Sequence, residues 1–420
     1  MDMPKEMGYA RPVSTGAASV ARQSSEDNWD LRWPQSIRTY TKMSREDSQV
    51  KSVLKAVIQP ISRTPWRLAP NGADDEVTRI IAEDLNLVVQ GEALDDPIIR
   101  TPRRASWNQH LRRALKWQLV YGHAFFELVF DDASATEDGL THLRKIAPRH
   151  SDTISKINVA SDGGLESIEQ RSVGKLTSVT IPVDRLLAYR LDDDADDWVG
   201  ESMLRAAYKH WRLKDQFLQL EATVLDRNGM GVPVSKSGFE PTDEDMQRLE
   251  DIVTGLRSGD YAGAVVKNDE LLEIKGVSGQ LVSPREAISY HDSQIARTAL
   301  AHALNLDGKG GSYALAEVQM DLFFQSLNEI AGQMAETANQ HLVRDMVFAL
   351  TGDSSGPFPR IVFDTIEAKK SLSPQDMAAL HNAYLLSDGP KTEAHIRRSY
   401  DLPAEDRPDL TGSPDPEEDT

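Results

Sequence analysis

The sequence of 420 residues contains no cysteine. This absence excludes disulfide bonds, thiolate metal sites and thiol catalysis, and it assigns no compartment. Long hydrophobic runs are also missing, because no stretch approaches the ~18 apolar residues of a membrane-spanning helix. The N-terminal sequence MDMPKEMGYA lacks the basic and then apolar order of a signal peptide. We therefore expect a protein made in the cytoplasm, with no membrane partner and room for about two or three domains.

Basic residues are few relative to acidic ones. Lysine and arginine total 47 against 66 aspartates and glutamates, so the net charge is −19. This balance argues against a protein that wraps nucleic acid by neutralising phosphates. Residues 100–116 depart from it, because they carry bases and no acid: Arg100, Arg103, Arg104, Arg112, Arg113 and Lys116. We interpret this stretch as a solvated helix face or an interface with an acidic neighbour, with phosphate contact as the less favoured alternative.

The patterns of known catalytic and ligand-binding sites are incomplete. GKGGS at residues 308–312 is not a nucleotide-binding loop, because Lys309 is followed by Gly310 rather than by Ser or Thr. GESML at residues 200–204 lacks the second glycine of a nucleophile elbow. The acidic run 192–197 lacks the glycine of a calcium loop, and no two histidines form the H-E-x-x-H pattern. The sequence therefore predicts no enzyme, no cofactor and no metal site.

One long helix organises the chain. Residues 201–227 contain no proline or glycine and are rich in residues that favour helices. Ser202 is predicted to cap this helix and Asn228-Gly229 to end it, which gives a length of about 40 Å. Its apolar residues cover more than one stripe, a pattern typical of a helix that packs on several sides. Some of its neighbours are therefore expected to come from other chains.

The remaining pattern mixes helices and strands. Helices are predicted at residues 44–61, 74–89, 106–121, 284–304 and 313–350, and another begins after Thr242. Strands are predicted at 124–130 and 361–363, with further short ones between 140 and 189 and a hairpin at 264–274 around Asn268 and Asp269. Small helices follow at 372–400. Residues 1–28 and the acidic tail 401–420 are expected to lack fixed structure.

Three stretches together resemble one family. WNQHLRRALKWQLVYGHAFFELVF (107–130) combines a helix, a glycine and a strand that contains glutamate. GESMLRAAYKHWRLKDQFLQLEATVLDRNGMGVP (200–233) opens with Gly-x-Ser-x-Leu-Arg and ends near Asn-Gly. LNLDGKGGSYALAEVQMDLFFQSLNEIAGQMAETANQHL (304–342) is a loop followed by a long helix. In this order and spacing they resemble the portal proteins of tailed bacteriophages, over roughly residues 44–350.

The resemblance implies an α+β portal-type fold that assembles as a ring. A disordered arm (1–28) would precede a peripheral wing (29–200), and the stem would comprise residues 201–228 and 284–304. Residues 229–283 would form the clip region, and a channel loop (305–312) would precede a long helix and returning strand (313–371). A small crown (372–400) would be followed by the disordered acidic tail (401–420).

The resemblance also assigns roles to residues. The stem residues expected at the subunit interface are Ser202, Leu204, Arg205, Tyr208, Trp211, Arg212 and Phe217. The loop expected beside DNA comprises Leu306, Asp307, Gly308, Lys309, Gly310, Gly311 and Ser312, with Lys309 as a transient phosphate contact. The implied function is a channel at one capsid vertex for DNA packaging, ejection and head–tail joining.

The implied partners are about eleven further copies in the ring, double-stranded DNA bound weakly and without sequence preference, the terminase large subunit, a head–tail adaptor, and the major capsid and scaffolding proteins. The implied location is the virion, after assembly in the host cytoplasm. An acidic channel wall would suit this function, because it repels DNA over about 8 Å and favours sliding. Two alternatives remain open, namely another capsid-associated oligomer such as an adaptor or minor head protein, and an enzyme with an unrecognised site.

Overall fold

The computed structural model describes residues 26–92, 106–136, 138–160, 162–171, 177–191, 198–229, 232–237, 240–258, 265–268, 270–275, 283–298, 313–353 and 355–367. The helices in these ranges are α1 (Gln35–Glu46), α2 (Ser48–Arg63), α3 (Asp75–Leu85), α4 (Trp107–Tyr121), α5 (Tyr208–Gly229), α6 (Asp243–Ser258), α7 (Arg285–Arg297), α8 (Tyr313–Thr337) and α9 (Arg344–Thr351). The strands are β1 (Trp66–Ala69), β2 (Val88–Val89), β3 (His123–Phe130), β4 (Leu143–Arg149), β5 (Ile154–Val159), β6 (Leu165–Arg171), β7 (Ser178–Pro182), β8 (Leu186–Arg190), β9 (Val232–Lys236), β10 (Leu271–Lys275) and β11 (Arg360–Phe363).

Helices α1 and α2 replace the single helix predicted at 44–61. Asp47 is extended and separates them, and its Oδ1 accepts hydrogen bonds from the backbone N–H groups of Gln49 and Val50. Asp47 is therefore the N-cap of α2. Ser44, the first residue of the predicted helix, lies inside α1, and its Oγ donates to Thr41 O at 3.0 Å. The prediction missed this break because a short aspartate cap can interrupt a continuous apolar pattern.

Strand β3 lies between two hydrophobic cores, and its successive side chains point alternately into one and the other. It lies between β4 and β8 in an antiparallel sheet, and β5, β6 and β7 form a second antiparallel sheet. Ala124, Phe126 and Leu128 point into the large core with the helices, whereas Phe125 packs with Ile154, Ile168, Ile181 and Leu186 in a small core between the sheets. Successive side chains of a strand point to opposite faces, so β3 contributes to both cores.

A long helical segment holds the last strand against the large core. α8 continues through a π-helical segment, Ala338–Val343, into α9, as predicted for residues 313–350. Asn339 bonds both backbone groups of Ile361 in β11, and Asn328 does the same for Ile366. β11 then pairs antiparallel with β1, which also pairs with β2. These two amides position the returning strand.

The second half of the chain departs from two predictions. Strand β10 pairs antiparallel with β9, which precedes α6 in the sequence, whereas β10 follows it. The hairpin predicted within residues 264–274 is therefore wrong. Local turn signals cannot identify a partner about 35 residues away. Helix α6 follows Thr242 as predicted, and Thr242 and Asp245 bond each other as a capping pair. Within the ranges described, no helix is long and apolar enough to span a bilayer.

Candidate functional site

The long helix begins later than predicted. Residues 201–207 do not form the first two turns of a helix, because 201–202 are irregular and 203–207 form turns, and α5 starts at Tyr208. The Oγ of Ser202, the predicted N-cap, donates to Val120 O at 2.6 Å and accepts from Leu204 N. Val120 lies in the last turn of α4, whose final carbonyl groups lack partners within their own helix. Ser202 therefore completes the end of α4 rather than the start of α5.

Two glycines bring the chain to this point. Gly122, which ends α4, has φ +84°, and Gly200 has φ +63°. A Cβ on Gly122 would lie 2.7 Å from Gly200 O, and a Cβ on Gly200 would overlap Gly122 O. Gly122 O accepts from Leu191 N, and Leu191 O accepts from Glu201 N. The sheet, α4 and the segment before α5 are thus joined through backbone contacts that require glycine.

Helices α5 and α7 pack antiparallel. His210 Nδ1 lies 3.0 Å from His291 Nδ1, and the Phe217 ring stacks on His291 with centroids 5.6 Å apart. Further along, Arg285 Nε donates to Glu221 Oε1 at 2.9 Å. Residue numbers rise along α5 as they fall along α7, which gives the antiparallel direction. The two helices therefore form one paired unit.

The histidine contact depends on protonation. One ring must donate and the other accept for the two Nδ1 atoms to bond, so at least one histidine is neutral. Burial, followed by the charges of Lys209 and His291, lowers the pKa of His210. The lowered pKa keeps the neutral ring available at neutral pH. The pair is therefore suited to joining the helices when the solution is not acidic.

Lys214 anchors this pair to the large core. Its side chain is 7% exposed, and Nζ lies 3.0 Å from Asp47 Oδ2 and 2.6 Å from Asp292 Oδ1. Burial opposes the ammonium charge, but hydrogen bonds to Asp292 and Asp47 outweigh it and raise the pKa of Lys214. Asp47 caps α2 with its other oxygen. One lysine in α5 thus connects α7 with the N-terminus of α2.

A polar network surrounds the start of α5. Arg205 forms an ion pair with Glu26, and Tyr208 Oη donates to Asp30 Oδ2 at 2.6 Å. Arg212 Nη1 donates to Tyr208 Oη at 3.1 Å. Arg205, Tyr208 and Arg212 border an open depression of ≈ 490 Å³ between residues 205–216 and Asn28. The network ties residues 26–30 to the helix.

Leucines remain exposed on both flanks of α5. The exposed fractions are 42% for Leu213, 49% for Leu220, 43% for Leu218 and 62% for Leu225. Members of each pair, Leu213 with Leu220 and Leu218 with Leu225, are seven residues apart and share one side of a helix. The two pairs lie about 140° apart around the axis. The face toward α7 lies between them, so each flank presents its own apolar stripe.

The residues predicted for a subunit interface occupy mixed positions. Leu204 and Tyr208 are buried in the large core, Ser202 is buried against α4, and Trp211 and Phe217 are half-buried within the chain. Arg205 and Arg212 border the depression and remain accessible. Their role at an interface stays a prediction. Sequence reasoning did not select Lys214 or distinguish the four exposed leucines, since periodicity does not show which apolar stripe is covered.

Several predicted features lie outside the described residues. These are the loop 306–312, the acidic run 192–197, the helices at 372–400, residues 1–25 of the N-terminal arm and the tail 401–420. The last residues of the predicted arm, 26–28, are described and held in place, since Glu26 pairs with Arg205 and Asn28 accepts from Asp30 N. Helix α7 ends at Arg297, so the predicted continuation to residue 304 falls largely outside them too. Among the residues described, no three His, Asp or Glu side chains form a metal-binding group.

Comparison with known proteins identifies the family. The model of the family described as the portal protein of Mu bacteriophage matches residues 37–402. This match spans most of the chain. The chain belongs to this portal protein family. The match also confirms the resemblance to phage portal proteins and the expectation of a portal, or connector, role in a phage capsid. The family is a structural one.

Solved structures show the same fold at low sequence identity. A chain from the virion of a native gene transfer agent particle has 12% identity and a TM-score of 0.54, covering 89% of this portal protein and 95% of that chain. A chain from the neck of an empty particle, computed with C6 symmetry, has 14% identity and a TM-score of 0.53, covering 88% and 95%. One from the neck of a native particle, computed with C12 symmetry, has 12% identity and a TM-score of 0.53, covering 89% and 95%.

Proposed function

We propose that this portal protein forms a ring of about twelve subunits at one capsid vertex, through which DNA is packaged and ejected. The observation that carries the proposal is the presence of separate leucine pairs on the two flanks of α5. The C6 and C12 symmetries with which the related neck structures were computed support it. In this arrangement α5 and α7 form the stem.

Two different flanks favour a head-to-tail interface. A two-fold dimer would use one self-complementary patch, whereas a ring needs two patches that complement each other. We infer that Leu213 and Leu220 of one subunit meet Leu218 and Leu225 of the next. Burying a half-exposed leucine contributes about 1 kcal/mol, so four contribute about 4 kcal/mol per interface. Association alone costs at least that much, so further contacts must assist and loss of either pair should prevent assembly.

The remaining regions receive roles by analogy with the family. Residues 29–200 would form the wing, β9, α6 and β10 the clip, residues 372–400 a reduced crown, and 306–312 the channel loop. The clip would meet the terminase large subunit and then the head–tail adaptor, and the wing would meet capsid and scaffolding proteins. A net charge of −19 suits a channel through which DNA slides, and Lys309 would supply one phosphate contact per subunit. The site of action would be the virion portal vertex.

Paired variants test the ring. We expect Leu213→Ser/Leu220→Ser and Leu218→Ser/Leu225→Ser each to stay below ring size in light scattering, because each lacks one flank. An equimolar mixture should form dimers, since one intact flank remains on each partner. Wild type should form rings with a central channel in electron micrographs.

The control is Leu322→Ser/Phe348→Ser, which removes apolar side chains of similar exposure from α8 and α9. This variant should assemble normally. Rings from either α5 variant would contradict the assigned interface. Failure of wild type to form rings at any concentration or salt would overturn the portal ring itself.

A further inference from the structure

One helix face is basic in an otherwise acidic protein. Arg112, Arg113 and Lys116 are exposed on α4. Their spacing places them on one side of the helix, within about 6 Å along its axis. None of the three forms an ion pair or hydrogen bond with another described residue. Other described arginines do so, including Arg149 and Arg285.

The basic face continues onto α1. His150 contacts Trp117 and Tyr121 of α4 by ring edges, with centroids 5.0 and 5.6 Å away. Burial lowers the pKa of His150, the charges of Arg45 and Lys116 lower it further, and Asp152 opposes them. Arg45 and Lys116 therefore both lie close to the same imidazole. Arg45 is exposed and has no ion pair among the described side chains. Positive charge is thus concentrated here, with Asp152 as the opposing acid.

We propose that this basic face, comprising Arg45, Arg112, Arg113 and Lys116, docks the acidic segment 401–420 of the same chain. The segment, DLPAEDRPDLTGSPDPEEDT, carries eight acids and one base. Its acids match the surface in charge, and it has only two large apolar side chains to bury. Charge-assisted contacts with arginine are stronger than neutral ones, so a sparse acidic segment can hold this face.

The described end of the chain lies near the start of α4. Asp364 accepts from Arg67 at 2.8 Å, and the preceding Phe363 packs on Trp66 with centroids 5.0 Å apart. Trp66 in turn lies 5.5 Å from Trp107, the first residue of α4. Residues 363–364 are therefore at the N-terminal end of this helix.

The linking chain is long enough for the proposed contact. About 34 residues separate Glu367 from Asp401, a length of chain that reaches about 50 Å even if it is wholly helical. Helix α4 is about 22 Å long. A tethered segment then acts at an effective concentration on the order of millimolar. Its permanent attachment favours it over free DNA, which the net charge of −19 also repels.

Carboxylate–amine coupling with a zero-length carbodiimide tests the contact in the full chain. We expect Lys116 to couple to Asp415, Glu417, Glu418 or Asp419, with the yield falling when salt rises from about 50 to 500 mM. Lys51 and Lys55, exposed on α2, are the internal controls and should not couple to that segment. Arg112→Glu/Arg113→Glu should abolish the Lys116 product. Absence of coupling at low salt would overturn the proposal.

Mixed isotopes identify the chain of origin. Subunits labelled with ¹⁵N are mixed with unlabelled ones before assembly, and the masses of the cross-linked peptides are measured. Cross-links in which both peptides carry the same isotope support docking within one chain. Mixed products in the statistical proportion would overturn it in favour of a neighbouring copy.

A DNA-binding assay tests the alternative that the basic face binds DNA rather than residues 401–420. Neutralising Asp415, Glu417, Glu418 and Asp419 to their amides should strengthen binding to a short duplex by about tenfold at low salt, because the basic face becomes free. Neutralising exposed acids elsewhere, namely Glu250, Asp251, Asp321 and Glu329, is the charge-matched control and should change it less. Adding Arg112→Glu/Arg113→Glu should reverse the gain. Equal effects in the two neutralised variants would overturn the proposal. So would wild-type DNA binding that depends on Arg112 and Arg113, which would assign the face to DNA.

Discussion

Replacing Lys214 by Met should detach α5 and α7 from α2. The substitution keeps the apolar stem of the side chain and leaves Asp47 and Asp292 without their shared cation. Removing one partner from a buried ion pair typically costs about 3–5 kcal/mol. We expect the lower end, about 3 kcal/mol, because the Asp292 side chain is 33% exposed and Asp47 keeps its bonds to α2.

The matched control removes all three charges. Lys214→Met/Asp47→Asn/Asp292→Asn leaves no uncompensated charge, and asparagine can still cap α2. This triple variant should recover most of the loss, since replacing a whole buried ion pair is often nearly neutral. The difference in stability between the two variants therefore measures the cost of leaving the two carboxylates without a cation, rather than the loss of the lysine itself.

Amide hydrogen exchange is the appropriate assay, because a chain of several structural units need not unfold in one step. Exchange in α5 and α7 should accelerate by about 100-fold in Lys214→Met, as 3 kcal/mol predicts, and by far less in the triple variant. Amides of β6, in the sheet away from this site, should be unchanged. Less than about a fivefold change in Lys214→Met, or equal changes in both variants, would refute the reasoning.

Three further predictions concern other described residues and the proposed loop. Burial opposes the charged form of His142, but the hydrogen bonds and charges of Asp138 and Asp84 outweigh it and raise the pKa of His142. The stabilisation from these contacts is therefore complete below pH 6.5 and is lost as pH rises through the raised pKa. Urea unfolding of His142→Gln should lack that decline. Burial raises the pKa of Asp345 to about 6, so Asp345→Asn should raise the melting temperature at pH 8, with the gain shrinking as pH falls through 6 toward 3.8. Lys309→Glu should leave ring assembly intact but shorten the DNA packaged per particle, and normal DNA content would reduce the loop to a connector.

Local rules predicted the elements that depend on neighbouring residues. Gly122 ends α4 with a positive φ, as a glycine after an apolar helix predicts. A helix follows Thr242 as predicted, and a strand covers the apolar residues 124–130 as predicted. Each feature is decided within a few residues of chain. The family, too, could be predicted from sequence, because the order of three stretches preserves its pattern.

Features decided by distant contacts could not be predicted in this way. Helix propensity favoured a start at residue 201, but Ser202 is held by Val120 O of α4 and the close approach of Gly122 and Gly200 fixes the chain before it. Propensity is a weak preference that tertiary contacts override. Lys214 shows the same limit, because a lysine in the middle of a helix is usually solvated and only the positions of Asp47 and Asp292 show that it is buried.

The helix at the centre of the proposed ring shows what periodicity can and cannot supply. The sequence indicates that α5 has more apolar stripes than one neighbour can cover. It does not indicate which stripe meets α7, because spacing of three and four residues carries no information about the partner. In the structure His210, Lys214, Phe217 and Glu221 face α7, and the leucine pairs remain on either side. An arrangement with both leucine pairs on one flank would favour a two-fold dimer, whereas separated pairs favour a closed ring. The proposed assembly therefore follows from how the subunit distributes its exposed leucines around α5.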